Sequence, residues 1–245
     1  MGDLAGAGGG ILLAVDRTGR ADGRDAVNQY IVAALWAVVG GAAGLGVRWG
    51  SEKLARLEEL ELGSKWWQQF GPPVLCAVIF AISRLETSSF PLLVVRSVFV
   101  VVLVQVIFFD FEHHLILDRV MFPAMALALL VGLSALLGGG LGLWHQDWWV
   151  GIVMGLGAGL LFLLLALAGS AIFKAEALGF GDVKLAVFMG LLLGWPYTLS
   201  ALFYGVLLAA IGAIVFIVAH RSMKGTIAYG PYLALGSLLV LLQLP

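Results

Sequence analysis

The sequence predicts an all-α protein, a polytopic membrane helix bundle with about eight transmembrane helices. The first reason is composition: of the 245 residues, 61% are hydrophobic and only 12% are charged, and the mean hydropathy is +1.03. Soluble domains of this length are much less apolar. The second reason is that the apolar residues fall into runs separated by short polar segments, which is typical of helices that cross a bilayer.

Eight apolar runs follow a polar N-terminal segment. We expect residues 1–27 to form a flexible tail without a cleaved signal peptide, because their apolar piece at 11–15 is too short to cross a bilayer of about 30 Å and no basic stretch precedes it. The predicted spans are 28–47, 71–83, 90–109, 120–137, 148–173, 184–195, 197–219 and 228–244. In the polar segment 48–69, leucines at every third position (Leu54, Leu57 and Leu60) predict a short amphipathic helix at the interface.

Lysine and arginine residues predict the orientation of the bundle. If the segment after the first span is cytoplasmic, that side collects nine of the fourteen: Arg48, Lys53, Arg56, Lys65, Arg119, Lys174, Lys184, Arg221 and Lys224. The positive-inside rule therefore favours an N-terminus on the outer side. Arg96 lies inside the third span, and we expect its side chain to extend to the outer interface.

Charge and cysteine content exclude several classes of function. The formal net charge is -1 and no basic block is present, so nothing indicates a nucleic acid partner. The chain has one cysteine, Cys76, which excludes an internal disulfide and a Cys-x-x-Cys zinc site.

Two acidic stretches lie at the cytoplasmic ends of predicted spans. Asp110 begins the stretch 110–118, and Asp182 follows Gly179 and Gly181 at the start of the sixth span. Two carboxylates that meet share one proton, so that one can act as general base on water and the other can polarise a peptide carbonyl. This chemistry requires no metal or cofactor. The glycines would permit positive φ and a close approach of substrate backbone.

Other interpretations of the same residues remain open at this point. Asp182 is also a favoured residue type for the N-cap of the sixth span, and Asp110 is compatible with a simple solvated carboxylate. Lys184 is expected to be an interfacial lysine whose charge can also influence the acidic pair. A metal site is an alternative for four residues of the first stretch, although they lack a His-Glu-x-x-His spacing: Glu112, His113, His114 and Asp118.

Three separate stretches together resemble the type IV prepilin peptidases, membrane aspartic proteases of the Gly-x-Gly-Asp group. The residues that match the first motif of that family are Asp110, Glu112, His113, Asp118 and Pro123. The second motif corresponds to Gly179, Gly181, Asp182, Lys184 and Leu185. The third, at the entry to the last span, corresponds to Tyr229, Gly230, Pro231, Tyr232, Leu233 and Ala234.

This resemblance covers about residues 90–240 and implies a catalytic membrane domain at 90–245 with Asp110 and Asp182 as catalytic residues. It implies prepilin and pseudopilin precursors as substrates, cut at the cytoplasmic face of the inner membrane between a short basic leader and a hydrophobic helix. Glu58, Glu59 and Glu61 are candidates for attracting such a leader, but we expect them to form a solvated helix face.

The chain departs from the family pattern in three places, one of which is that the Asn-rich, Arg-containing sequence of the family is not recognisable at the end of the first span. Leu117 stands where the first motif has a proline. Many bacterial members carry two Cys-x-x-Cys pairs after the first span, in a segment associated with N-methylation. Residues 28–89 here hold the N-terminal helices with a shortened cytoplasmic loop, 48–69, that lacks these cysteines. We therefore expect a peptidase without methyltransferase activity. Competing hypotheses are a transporter or channel that uses intramembrane acids, a catalytically silent assembly scaffold, and a metalloprotease.

Overall fold

Helices account for nearly all of the chain that the computed structural model describes, which comprises residues 23–60, 65–87, 89–137, 147–173, 178–220 and 228–244. In these residues there are eight α-helices and no strand, so the predicted all-α class is confirmed. The helices are α1 (Gly23–Leu57), α2 (Trp66–Glu86), α3 (Phe90–His113), α4 (Asp118–Leu133), α5 (Trp148–Phe173), α6 (Phe180–Leu193), α7 (Tyr197–His220) and α8 (Gly230–Gln243). A 3-10 turn, Ser134–Leu137, extends α4.

Four of these helices are long and apolar enough to cross a membrane: α1, α3, α5 and α7. A membrane helix bundle agrees with the prediction from composition. The helices α6 and α8 have 14 residues each, and a helix of that length extends only about 21 Å. They are therefore shorter than the hydrocarbon core of about 30 Å, and the longer helices around them must supply the rest of the membrane-facing surface.

The short helices lie in the centre of the bundle. Helix α8 packs on α3, α6 and α7, and α6 packs on α4, α5, α7 and α8. Phe99 of α3 and Phe188 of α6 meet in this core with ring centroids 6.1 Å apart, and both are nearly inaccessible to solvent. Exposed leucine, isoleucine and valine residues instead line the outer faces of α1, α5 and α7. The apolar surface of the long helices is thus available to lipid, and the core positions α3, α6 and α8.

Helix α1 differs from the sequence-based expectation at both ends. It begins at Gly23, inside the segment predicted as a tail, while residues 1–22 lie outside the described part of the chain. At the other end it continues to Leu57 instead of stopping before a separate interfacial helix. An ion pair between Arg48 and Glu52, with 2.9 Å between Nε and Oε1, stabilises this extension. Leu54 packs against a buried cluster of Ala55, Phe109 and Leu117, which removes it from the interface.

The expectation for Arg96 was wrong. Its side chain is fully buried and does not extend to the membrane surface. The guanidinium Nη2 donates a hydrogen bond of 2.6 Å to the backbone carbonyl of Leu244, just beyond α8. Hydropathy predicts that an arginine lies in a span, but it does not show whether a neighbouring segment provides a hydrogen-bond acceptor. Here the backbone carbonyl of Leu244, directly after α8, is that acceptor.

Candidate active site

An open cleft of about 1010 Å³ lies at the end of the bundle where α3 ends and where α4, α6 and α8 begin. Every segment that lines it is the end of a helix or the connection next to it. Its lining residues are Glu58, Asp110, His114, Leu115, Ile116, Leu117, Asp118, Arg119, Leu178, Gly179, Phe180, Gly181, Asp182, Lys184, Ala228 and Tyr229. The cleft therefore brings together parts of all three motifs that the sequence singled out.

Asp110 occupies the last turn of α3 and is buried, with 5% of its surface exposed. Its backbone carbonyl accepts a hydrogen bond of 2.9 Å from the N–H of His114. His114 adopts a left-handed conformation (φ 51°, ψ 39°) that ends the helix, and its side chain lines the cleft. The turn at His114 directs the following connection, 115–117, across the cleft towards α6.

Asp182 lies in the first turn of α6, with 9% of its surface exposed. The N-cap of α6 is Gly179, so the alternative that Asp182 caps this helix is wrong. The backbone N–H of Asp182 donates to the Gly179 carbonyl at 3.0 Å, and its carboxylate interacts with the Gly179 backbone. A negative charge in the first turn of a helix is favoured by the helix dipole.

The two buried carboxyl groups are neighbours. Both line the cleft, and Asp110 is near enough to act electrostatically on Asp182. They come from α3 and α6, which are separated by two helices in the chain. The structure thus brings together the two residues that the sequence proposed as a pair, in a position that solvent can reach from outside the bundle.

Two glycines of the motifs are required by close packing and not by their backbone angles. A Cβ at Gly181 would lie 2.8 Å from Cβ of Ile116, and a Cβ at Gly230 would overlap Oδ2 of Asp110. Carbon atoms in contact are about 3.5–4.0 Å apart, so neither position has room for a side chain. The expected positive φ is wrong: Gly179 is extended (φ -69°, ψ 145°) and Gly181 belongs to α6. Pro231 follows Gly230 as a buried residue of the first turn of α8.

Lys184 and Asp118 connect the first two motifs directly. The ammonium group of Lys184 on α6 forms an ion pair with a carboxylate oxygen of Asp118 on α4. Lys184 also lies over the rings of Phe122 and Phe180, 5.4 Å and 5.1 Å from their centroids. The pair closes one side of the cleft and holds the start of α4 against the start of α6.

Glu112 and His113 are not part of the cleft. They face a separate cavity of about 30 Å³ between α1, α2 and α3, with Arg48, Glu52 and Gln68 among its other lining residues. The ring of His113 packs on Phe109 with centroids 4.6 Å apart. The metal alternative for the first motif is therefore not supported by the geometry, because His113 points away from His114 and Asp118. Within the described ranges, no group of three or more His, Cys, Asp or Glu side chains is arranged to hold a metal ion.

The sequence did not identify several lining residues, including Ile116, Ala228 and Arg119. Ile116 contacts the position of Gly181, and its only signal was its place between two motif aspartates. Glu58 lines the cleft as well, although a solvated helix face was the preferred prediction. Glu61, which was predicted to share that solvated face, lies outside the described residues.

In a comparison with known protein families, the model of the type IV leader peptidase family matches residues 97–214. This segment of the chain is similar to the type IV leader peptidase family. The matched segment contains Asp110 and Asp182 and extends from α3 into α7. The motif around Gly230 lies beyond it. Neither the curated proteins nor the solved structures contain a significant match.

Proposed function

We propose that this protein is an aspartic endopeptidase that removes the short basic leader from type IV prepilins or pseudopilins at the cytoplasmic membrane face. The match of residues 97–214 to the leader peptidase family supports the substrate class. The observation that carries the aspartic mechanism is the shared cleft, in which the carboxyl groups of Asp110 and Asp182 lie together at the ends of two separate helices.

In this proposal the two aspartates act as one unit. The ionised carboxylate accepts a proton from water as the water attacks the peptide carbonyl, and the protonated carboxyl donates a hydrogen bond to the carbonyl oxygen. The carboxyl that received the proton then delivers it to the leaving amine. Because the cleft opens at helix ends, an extended segment of substrate can lie across it while the following hydrophobic helix remains in the bilayer.

Charge supports the cytoplasmic orientation. The described residues near the cleft end of the bundle include six lysine or arginine residues: Arg48, Lys53, Arg56, Lys65, Arg119 and Lys184. Arg24, Arg84 and Arg96 are located towards the opposite end. The excess at the cleft end agrees with the positive-inside rule.

The proposal includes peptidase activity without methylation of the new N-terminus. The connection between α1 and α2 spans residues 58–65, which contain no cysteine. Transfer of a methyl group from S-adenosylmethionine to a cleaved pilin by the purified protein would contradict this part of the proposal.

The test is cleavage of a prepilin that is co-reconstituted with the protein, followed by the mass of the released leader. We expect Asp110→Asn and Asp182→Asn each to abolish turnover, and the double variant to be no worse than either alone. Asp147→Asn, an exposed carboxylate before α5 at the other end of the bundle, is the matched control and should cut at the normal rate. A metal chelator should have no effect.

Full cleavage by a folded Asp110→Asn or Asp182→Asn variant would refute the aspartic mechanism. A chelator that abolishes cleavage would instead favour a metalloprotease. Wild-type protein that cuts no precursor would favour the transporter or scaffold hypothesis.

A further inference from the structure

Glu58 is held in a defined position at the mouth of the cleft. It follows the last residue of α1, where its backbone N–H donates to the Leu54 carbonyl at 3.1 Å and the N–H of Leu60 donates to the Ala55 carbonyl at 2.8 Å. Ala55, with 1% of its surface exposed, packs against Phe109 of α3. The end of α1 is thereby fastened to the helix that carries Asp110, so Glu58 keeps its place relative to that aspartate.

The charged residues of the cleft favour a cation. The described lining residues include four carboxylates (Glu58, Asp110, Asp118 and Asp182) and, apart from His114, two cationic side chains (Arg119 and Lys184). Each of these cations is paired with an acid of the lining: Lys184 with Asp118, and Arg119 with Glu58. Even with one proton shared between Asp110 and Asp182, an excess of negative charge remains for a ligand.

The two ion pairs differ in how easily they can be exchanged. Lys184 is mostly covered, with 19% of its side chain exposed. Arg119 is 61% exposed, and its Nε lies 3.4 Å from Oε1 of Glu58, longer than a charge-assisted hydrogen bond of about 2.7–2.9 Å. An exposed pair of this kind contributes little to stability. A cation from outside can therefore replace Arg119 at small cost.

We propose that Glu58 is a specificity-determining residue that binds a cationic side chain of the substrate leader, with Arg119 occupying its carboxylate in the absence of substrate. This inference rests on the proposed function, because it names the part of the cleft that recognises the leader. The leader would displace Arg119 from Glu58 while the scissile bond lies at the aspartates. Arg119 thus competes with the substrate for the same carboxylate.

The proposal predicts opposite changes in KM for substitutions of Glu58 and Arg119. Glu58→Gln removes the acceptor, so KM for a precursor with a basic leader should rise about two- to fivefold, the range expected for one exposed charge pair. Arg119→Gln removes the competitor, so KM for the same precursor should fall. A precursor whose leader lysines and arginines are replaced by glutamine should respond to neither substitution. Glu59→Gln is the matched control, since Glu59 is exposed and does not line the cleft.

A purely structural role of the pair would weaken binding in both variants and for both precursors, and that result would overturn the inference. Charge reversal adds an independent test: Glu58→Lys should improve cleavage of a precursor with an acidic leader relative to wild type. Binding of the isolated basic leader peptide, measured without turnover, separates this inference from the proposed function. Protein that binds this peptide through Glu58 but never cuts a precursor would refute the peptidase and retain the leader site. Binding that is equal in wild type and Glu58→Gln would refute the leader site.

Discussion

Replacing Gly230 by alanine tests whether the third motif positions the carboxylate of Asp110, which we propose to be catalytic. Gly230 is the first residue of α8 and lies outside the segment that matches the leader peptidase family. Its backbone does not have the positive φ that would itself demand glycine. Any loss of activity in Gly230→Ala must therefore come from the space that one methyl group occupies.

The size of the effect follows from the contacts of that methyl group. A Cβ at Gly230 would overlap Oδ2 of Asp110 and lie 2.9 Å from Cδ1 of Ile116. Contact distances are about 3.5 Å or more, so the carboxylate has to move by roughly 1 Å. A displacement of about 1 Å in a catalytic group lowers the rate about 100-fold. The change in stability should be small, since alanine favours the helix by about 1 kcal/mol and overpacking opposes it by about 1–3 kcal/mol.

The assay is the reconstituted prepilin cleavage reaction together with thermal unfolding of the same preparation. Gly157→Ala in α5 is the matched control, because a Cβ there meets no atom within 4 Å. Ile116→Val removes the Cδ1 atom near Gly230, and it should not restore the rate of Gly230→Ala if the displaced carboxylate is the cause. Normal turnover by Gly230→Ala would refute the reasoning, and so would full rescue by Ile116→Val.

Two further predictions concern the other motif residues. Gly181→Ala should lower turnover, because its Cβ would lie 2.8 Å from Cβ of Ile116. Gly179→Ala should retain most of the activity, because the nearest atom to its Cβ would be Oδ2 of Asp182 at 3.6 Å. Equal rates for the two variants in the cleavage assay would contradict this prediction. Asp118→Asn and Lys184→Met should each reduce turnover, with a loss of stability of about 1 kcal/mol or less for this partly exposed pair. The double variant Asp118→Lys, Lys184→Asp, in which the two charges are exchanged, should recover much of the turnover that the single variants lose. If a double-mutant cycle on Asp118 and Lys184 gives no coupling energy, the ion pair does not position the two helices.

The sequence was sufficient to predict eight helices, though not all of their bounds, and to single out two aspartates that line one cleft. A long apolar run indicates a helix that is buried in lipid or protein. For example, α5 was predicted at 148–173 and is observed at Trp148–Phe173. Asp110 and Asp182 were identifiable because an ionisable group at the end of an apolar run is costly without a function. Both aspartates lie within residues 97–214, the segment that matches the leader peptidase family.

The predictions failed for residues whose burial or packing depends on which helices are neighbours in the bundle. The burial of Arg96 depends on an acceptor 148 positions away in the chain, which local hydropathy does not report. The role of Gly230 depends on the carboxylate of Asp110, and glycine in a motif does not reveal whether torsion or space requires it. His113 and His114 line different cavities at the end of α3, as adjacent residues of a helix are expected to do.

The position of Glu58 has a consequence for how a chain of this kind can acquire new activities. The connection that joins α1 to α2 begins at the mouth of the cleft, and exposed connections between helices are the sites where whole domains can be inserted without disturbing a fold. If the protein cuts precursors as proposed, a domain added there would stand beside the newly cut end of the substrate before that end could diffuse away. A second reaction on the new N-terminus of the substrate would then require only the insertion of a domain between α1 and α2. The helices that hold the aspartates would keep their packing.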